Sequence, residues 1–357
     1  MNKMITFIQN QTKQFKSKVF MYLYGLVLIQ FSLYALFKLI IYNKTDVTVE
    51  SVKIKPTERN GIAKDLEWDT KGITFKLLNA KVANEKVDAD YAIILIFSAI
   101  NNTHLRRSIR ESWGKDANMK KDNTHKYFVL GKSKLDAKNR VILMEMAKFN
   151  DIIRLDILDD YYTLSEKSIA AFQWINKYHK NVKYVLKQDD DAYVNITRLK
   201  NRVQSIERRG AKDFMAGFYF HGRKPKRHPL GKYYTPFSLW PNDTWPPCLT
   251  GPAYIFSTSI IPRLIKRARD PATPFVKYED IYITGVLRHF ENISIYDIED
   301  MRHIDCQKIQ RSYKRQHVSY HRVSAENHRN LYANGRCKPI VMRRTHMTAY
   351  KTDRIKT

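Results

Sequence analysis

Val182-Lys-Tyr-Val-Leu-Lys187-Gln-Asp189-Asp190-Asp191-Ala-Tyr-Val-Asn195 runs from an apolar stretch straight into three consecutive carboxylates. The residues Val182–Leu186 are β-branched, aromatic or apolar around one lysine, which predicts a strand. Three adjacent like charges repel, so a fold that holds them together needs a compensating interaction. A divalent cation supplies one, because carboxylate oxygens are the ligands of Mg²⁺ and Mn²⁺. The alternative is a strand end followed by an Asx turn or by the N-cap of a helix starting near Ile196.

Upstream, strand and helix patterns alternate. Tyr91–Phe97 is a continuous apolar run, as expected of a strand buried on both faces. Arg106, Arg107 and Arg110 fall on an expected helix ending near Trp113-Gly114. Lys126–Gly131 reads as a second strand, followed by a helical pattern to about Phe149, and Asp151–Asp156 reads as a third strand. Thr163–Lys180 is an amphipathic helix with Leu164, Ile169, Phe172 and Ile175 facing inward. This order predicts an α/β sandwich with a mainly parallel sheet. In such sheets ligands lie beyond the carboxyl ends of the strands, where the three aspartates stand.

Downstream the pattern is less regular. Asp213–Tyr219 is another expected strand, and 221–247 reads as loop rich in basic, proline and aromatic residues. Trp245-Pro-Pro-Cys-Leu-Thr-Gly-Pro-Ala-Tyr254 reads as a rigid turn into a strand Tyr254–Phe256. Ser259–Arg269 is an expected helix. Glu279-Asp280 then precedes a helical run to Phe290. By residue type alone that pair caps a helix.

The chain has 357 residues, of which 43% are hydrophobic, enough for a full globular core. Its net charge of +28 predicts attraction to polyanions, anionic membrane surfaces or phosphorylated substrates. Nucleic-acid binding is one reading of that charge. Against it, lysine and arginine are spread along the chain and no DNA- or RNA-binding signature stands out. In a lumenal domain the same charge favours acidic or sulfated glycans. Cys248, Cys306 and Cys337 are too scattered for a zinc site and allow at most one internal disulfide, of unspecified pairing.

Val19–Phe37 carries no charged residue. As a helix it spans about 28 Å, close to a bilayer core. Residues 1–18 are basic, so the expected order is a cytoplasmic tail at 1–18, a signal-anchor helix at 19–42 and a polar stem at 43–90, the last with a short strand at Gly72–Phe75. A lumenal catalytic domain then covers 91–337, and a basic tail 338–357. Acceptor triplets for N-glycosylation at Asn43, Asn101, Asn195, Asn242 and Asn292 agree with a lumenal location.

Several motifs occur in a fixed order. They are Arg106-Arg-Ser-Ile-Arg110-Glu-Ser-Trp113, Phe128-Val-Leu-Gly131, Lys187-Gln-Asp-Asp-Asp191, Trp245-Pro-Pro with Gly251-Pro-Ala-Tyr254, and Glu279-Asp-Ile-Tyr282. Between the second and third lie Glu145, Asp151-Ile-Ile, Asp156, Asp160-Tyr161, Leu164 and Lys167. In this order they resemble the β-1,3-galactosyltransferase family, whose relatives include β-1,3-N-acetylglucosaminyltransferases. The resemblance covers about residues 91–325. It implies a GT-A fold in a Golgi type II membrane protein, a UDP-sugar donor, a divalent metal such as Mn²⁺, and a glycan acceptor on a glycoprotein or glycolipid.

By the same resemblance Asp191 holds the metal, with His321 completing the site, and Asp189 and Asp190 face the ribose and the sugar. His321 is otherwise one surface histidine among 11. Asp280 is the implied base of an inverting transfer, and Glu279 its orienting neighbour. Arg106 and Arg110, at i and i+4 on one helix, are expected to reach the diphosphate, or else to be solvated. Trp245 and Tyr254 stack on sugar rings or pack in the core. The chain departs from the family pattern at Trp245, Cys248 and Leu249, at Tyr162-Thr163-Leu164, and in Thr284–Leu287, where cysteines are usual. The family's disulfides therefore do not carry over. Two rivals remain: an inactive glycan-binding relative, and the basic nucleic-acid binder.

Overall fold

The computed structural model describes residues 91–302, 304–306, 308 and 317–338. The expected tail, membrane anchor and stem (1–90), and the basic tail after Lys338, lie outside the described residues. Among the described residues no helix is long and apolar enough to cross a membrane.

The chain enters on β1 (Ala92–Phe97) and continues through α1 (Thr103–Glu111), α2 (Asp116–Lys121), β2 (Thr124–Lys132) and α3 (Asp136–Phe149). It then forms β3 (Ile152–Leu158), α4 (Leu164–Tyr178), β4 (Tyr184–Asp189), β5 (Tyr193–Val194) and α5 (Ile196–Glu207). The second half comprises β6 (Phe214–Phe220), β7 (Cys248–Ser257), α6 (Ile261–Ala268), a π-helix (Ile281–Leu287) running into α7 (Arg288–Phe290), and β8 (Ser294–Asp297). It closes with β9 (Ile304–Asp305), β10 (Ser319–His321) and α8 (Ala325–Asn334).

Seven strands form one sheet in the order β3-β2-β1-β4-β7-β6-β8. The β1–β2, β2–β3, β1–β4 and β6–β8 pairs are parallel, while β7 runs antiparallel to both β4 and β6. The result is a mixed α/β fold with a mainly parallel sheet, which fits a GT-A-like architecture. All six residues of β1 are buried. Ile93, Leu95 and Phe97 join one core cluster and Ala92, Ile94 and Ile96 the other. Period-two alternation with both faces covered produces a continuous apolar run.

Successive strands step from β1 to β2 to β3 on one side, and the chain then returns to place β4 on the other side of β1. This reversal leaves a crevice at the carboxyl ends of β1 and β4, the usual ligand position in such sheets. Asp189 ends β4 directly opposite Phe97, the last residue of β1.

Several expected boundaries move. β4 runs on into the acidic motif, because parallel pairing with β1 continues to Asp189. β7 begins at Cys248, where a rigid turn was expected to reach Tyr254. Its pairing with β6 jumps from Gly217–Tyr254 to Tyr219–Leu249, so the intervening residues bulge. A bulge tolerates Pro252, which has no N–H to give to a ladder. The run after Asp280 is a π-helix, a form that often marks functional positions. The sequence pattern also missed α2, whose six residues carry one buried side chain, Met119.

A second, small sheet has the order β5-β10-β9. It fastens the C-terminal segment to the acidic turn, with Tyr320 opposite Tyr193. A disulfide joins Cys306 to Cys337, and Cys248 is a buried free thiol.

Candidate active site

The three aspartates do three different things. Asp189 pairs with Lys187, whose Nζ lies 2.7 Å from Asp189 Oδ1. Asp190 is buried and accepts from Ser98 Oγ at 2.6 Å and Asn102 Nδ2 at 2.9 Å, both from the segment after β1. Burial pushes its carboxyl up to about 6, against those two hydrogen bonds. Asp191 is partly exposed and faces His321, with Oδ2 3.5 Å from Nε2. Burial raises its pKa, and the His321 charge opposes the rise. Asn195 meanwhile caps α5, accepting from the Arg198 N–H at 3.0 Å. The cap and the acidic cluster therefore coexist.

Lys187, the first residue of the motif, links it to the second acidic pair. Its ammonium donates to the Gly251 carbonyl at 2.8 Å and lies 3.4 Å from Glu279 Oε2. Burial of this side chain favours the neutral form, but the Asp189 and Glu279 carboxylates outweigh it and raise its pKa. One buried lysine thus ties the acidic turn to the start of the π-helix. Glu279 is buried as well, and its Oε1 accepts from Ser168 Oγ at 2.9 Å and Tyr254 Oη at 2.5 Å. Burial raises its pKa despite Lys187 and Tyr254.

Asp280 differs from its neighbour. Its side chain is 23% exposed, against 4% for that of Glu279. Oδ1 accepts from the Ile281 N–H at 2.9 Å, and Oδ2 lies 3.3 Å from Arg223 Nη1. A Cβ built on Gly251 would stand 3.5 Å from Asp280 Cβ, so the β7 bulge runs beside this carboxylate.

Arg106 and Arg110 do not reach the crevice. Arg106 is fully buried and grips Glu145 with Nε at 2.9 Å and Nη2 at 2.7 Å. Its Nη1 donates to Ser98 Oγ at 2.9 Å and to the Ala99 carbonyl at 2.6 Å. Arg106 therefore acts on the acidic turn at one remove, through Ser98 to Asp190. Arg110 bonds Glu145 at 2.7 Å and Asp151 at 2.7 and 2.9 Å, and its guanidinium lies over the rings of Phe128 and Phe149. The expectation that they bind a diphosphate is corrected on this geometry: both forks are spent on buried carboxylates. Trp245 packs on Trp240 in the core, and Tyr254 is buried with its hydroxyl on Glu279, so neither offers a stacking face.

A neighbouring network holds the β1–α1 loop. Asp159 accepts from the Ile100 N–H at 2.7 Å and from Lys167 Nζ at 2.7 Å. Gly131 makes room for it, since a Cβ there would lie 2.5 Å from the Ile157 carbonyl and 2.9 Å from Asp159.

The residue types alone did not single out Ser98, Asn102, Arg223 or His328. Lys187 stood only as the first residue of the acidic motif, just past the expected strand. The others are ordinary loop or helix residues until the chain folds.

The described residues contain no group of three or more His, Cys, Asp or Glu side chains able to hold a metal. The nearest donor set is Asp191 with His321, a carboxylate oxygen and an imidazole nitrogen. The carboxylate suits Mn²⁺ or Mg²⁺ when a substrate supplies further oxygens, whereas imidazole is a ligand more typical of Zn²⁺ or Fe, so the pair fits Mn²⁺ better than Mg²⁺.

A family profile described as Galactosyltransferase matches residues 104–299. A mouse (Mus musculus) protein named beta-1,3-galactosyltransferase 1 is 30% identical over 198 residues, 56% of this chain and 60% of the relative. A Pan paniscus protein named beta-1,3-galactosyltransferase 5 is 26% identical over 193 residues, 54% of this chain and 63% of the relative. The chain thus spans about 60% of the length of the curated relatives it matches. Among solved structures, a 4-diphosphocytidyl-2C-methyl-D-erythritol synthase from Anaerococcus prevotii superposes with a TM-score of 0.34 at 10% identity, over 59% of this chain and 88% of that one. A likeness that distant carries no argument.

Proposed function

The chain belongs to the galactosyltransferase family, and from that premise we propose that it is an inverting β-1,3-hexosyltransferase. It moves galactose from UDP-galactose to the 3-hydroxyl of a protein- or lipid-linked glycan. The names of the relatives support the donor and the linkage. One observation carries the reading: Lys187 joins Asp189 and Glu279, so two acidic clusters share one crevice at the sheet's switch point.

In this reading Asp280 is the base. It takes the proton of the acceptor hydroxyl as that oxygen attacks C1 from the face opposite UDP. Its partial exposure supports the role, whereas Glu279 is closed off by Ser168, Tyr254 and Lys187 and orients the pair. Asp189 faces the nucleotide-sugar, whereas Asp190, buried against Ser98 and Asn102, holds the turn in place rather than reaching the ligand. Asp191 and His321 would hold the divalent metal. When bound there, the metal supplies positive charge for the departing diphosphate. The charge-free Val19–Phe37 run and the glycosylation triplets support a Golgi type II membrane protein with this domain in the lumen.

The test is UDP release by the purified full chain with each common UDP-sugar, with Mn²⁺ and with EDTA. The expected result is EDTA-sensitive release from UDP-galactose, enhanced by a β-linked acceptor. Release from a UDP-N-acetylhexosamine alone would replace the donor and keep the chemistry. UDP binding without release from any donor, with acceptors present, would point to the inactive glycan-binding relative. No UDP binding at all would sink the reading.

A further inference from the structure

Asp280 has a second set of neighbours, which are basic and aromatic. Arg223, 3.3 Å from its carboxylate, opens the loop between β6 and β7. Residues 221–233 of that loop hold Arg223, Lys224, Lys226, Arg227 and Lys232 and no acid. The loop is built rather than loose. Thr235 N–H donates to the Lys226 carbonyl and Trp245 N–H to the Arg223 carbonyl, each at 2.8 Å. The Arg227 guanidinium ties down the Thr235, Trp240 and Asn242 carbonyls. Tyr278, two residues before Asp280, donates to the Tyr234 carbonyl at 2.9 Å.

Three tyrosines, Tyr161, Tyr162 and Tyr233, are exposed beside this loop. Lys232 Nζ lies 3.9 Å from the centre of the Tyr161 ring, and Lys277 Nζ 4.4 Å from that of Tyr162. Tyr233 packs against Tyr278 with ring centres 5.4 Å apart. Tyr161 feels the crevice: burial, a hydrogen bond with Tyr233, and the charges of Asp280 and Asp189 all raise its pKa. Among the described residues, no carboxylate forms an ion pair with Lys224, Lys226, Lys232 or Lys277. Lysines without carboxylate partners attract ligands of the opposite sign. Tyrosines give flat amphipathic surfaces for a sugar ring, and lysines held over those rings stay positioned at low entropic cost.

A base must stand beside the hydroxyl it deprotonates, so what surrounds Asp280 surrounds the acceptor. We propose that Tyr161, Tyr162, Lys232 and Lys277, with Arg223 at the inner edge, form an acceptor subsite that selects a glycan bearing a sulfate or a carboxylate over its neutral counterpart. The assignment to the acceptor rests on the transferase reading above.

The full chain is titrated with a neutral β-galactosyl disaccharide, with its sulfate monoester, with its uronic-acid analogue, and separately with UDP. The anionic probes are expected to bind about tenfold tighter than the neutral one at low salt, an advantage that shrinks as salt screens it. A preference for only one anionic probe identifies which group the subsite takes. In Lys232→Ala/Lys277→Ala the advantage should vanish while UDP affinity holds. Equal or undetectable binding of all three sugars overturns the proposal. So does a double variant that loses UDP and keeps the anionic glycan, since these lysines would then serve the diphosphate. Failure of the unaltered chain to bind UDP would count against the transferase reading, whatever the glycans do.

Discussion

His328 Nε2 lies 2.9 Å from the backbone carbonyl oxygen of Asp190. On its other side Trp113 Nε1 donates to His328 Nδ1 at 3.2 Å. An Nδ1 that accepts leaves the proton on Nε2, so the ring donates to Asp190. Burial keeps the ring neutral, with its pKa pushed down to about 4. A helix near the C-terminal end of the described chain thereby holds the acidic turn in place. Val323 adds a second tie, its N–H donating to the Asp191 carbonyl at 2.8 Å.

Replacing His328 should therefore loosen the turn more than the fold. His328→Ala leaves a buried carbonyl and the Trp113 N–H without partners, at a cost of about 1–3 kcal/mol each. We expect a lower thermal midpoint and a larger loss in UDP affinity than His328→Gln shows, because Gln keeps a donor and an acceptor. Equal UDP affinity in Ala, Gln and unaltered proteins would remove His328 from any positioning role.

Asp280→Asn should abolish transfer and leave UDP binding intact, since the amide keeps the shape and cannot take a proton. Glu279→Gln should retain some turnover, because that carboxylate is enclosed and orients rather than reacts. Turnover and UDP affinity measured on both variants check the assignment. Normal turnover in Asp280→Asn sinks it.

Arg106→Lys keeps the charge and loses the fork. The variant cannot hold both Glu145 oxygens together with Ser98 and Ala99. Each buried acceptor left without its donor costs about 1–3 kcal/mol, so the thermal midpoint should fall. A thermal midpoint equal to that of the unaltered chain would show that the network contributes little.

The Cys306–Cys337 bridge spans a sequence separation of 31 residues. Loop-closure entropy gives it about 3–4 kcal/mol of stabilisation. Cys337→Ser should lower the thermal midpoint and weaken UDP binding, since the bridged segment carries His321 and His328. Unchanged UDP affinity would uncouple the bridge from the site.

His179 offers a pH test away from the site. It packs against Trp174 and Tyr127, and burial pushes its pKa down to about 4 from 6.5. The unfolded chain then binds the proton first as pH falls, so His179 contributes full stability above 6.5 and loses it between 6.5 and about 4. In His179→Gln the fall in thermal midpoint across that window should be shallower. An identical pH profile would contradict the shift.

Much of the scaffold was legible because periodicity is a local property. The two-faced burial of β1 and the alternation of strand with helix follow from residue type and spacing, whereas α4, expected to show one inner stripe, is buried on every side from Lys167 to Ile175. The carboxyl-end position of Asp189–Asp191 follows from the same alternation. The coincidence of an acidic strand end with a second acidic pair was legible too, once several motifs stood in order. Boundaries were less so. β4 extends into charged residues because β1 pairs with them, and β7 begins at Cys248 because Tyr219 and Phe220 of β6 pair with Leu249 and Cys248.

The sequence by itself determined the alternation of strand with helix, the acidic strand end and the excess of positive charge, since these are read from composition and from neighbours within a few residues. The tertiary structure alone decided where the long side chains are spent. Arg106 meets Glu145 across 39 positions, His328 meets Asp190 across 138, and Trp113 meets His328 across 215. A buried charge must find a partner wherever the chain brings one. Sheet order and the closing C-terminal segment therefore set which arginine, lysine or histidine serves the site and which serves the core.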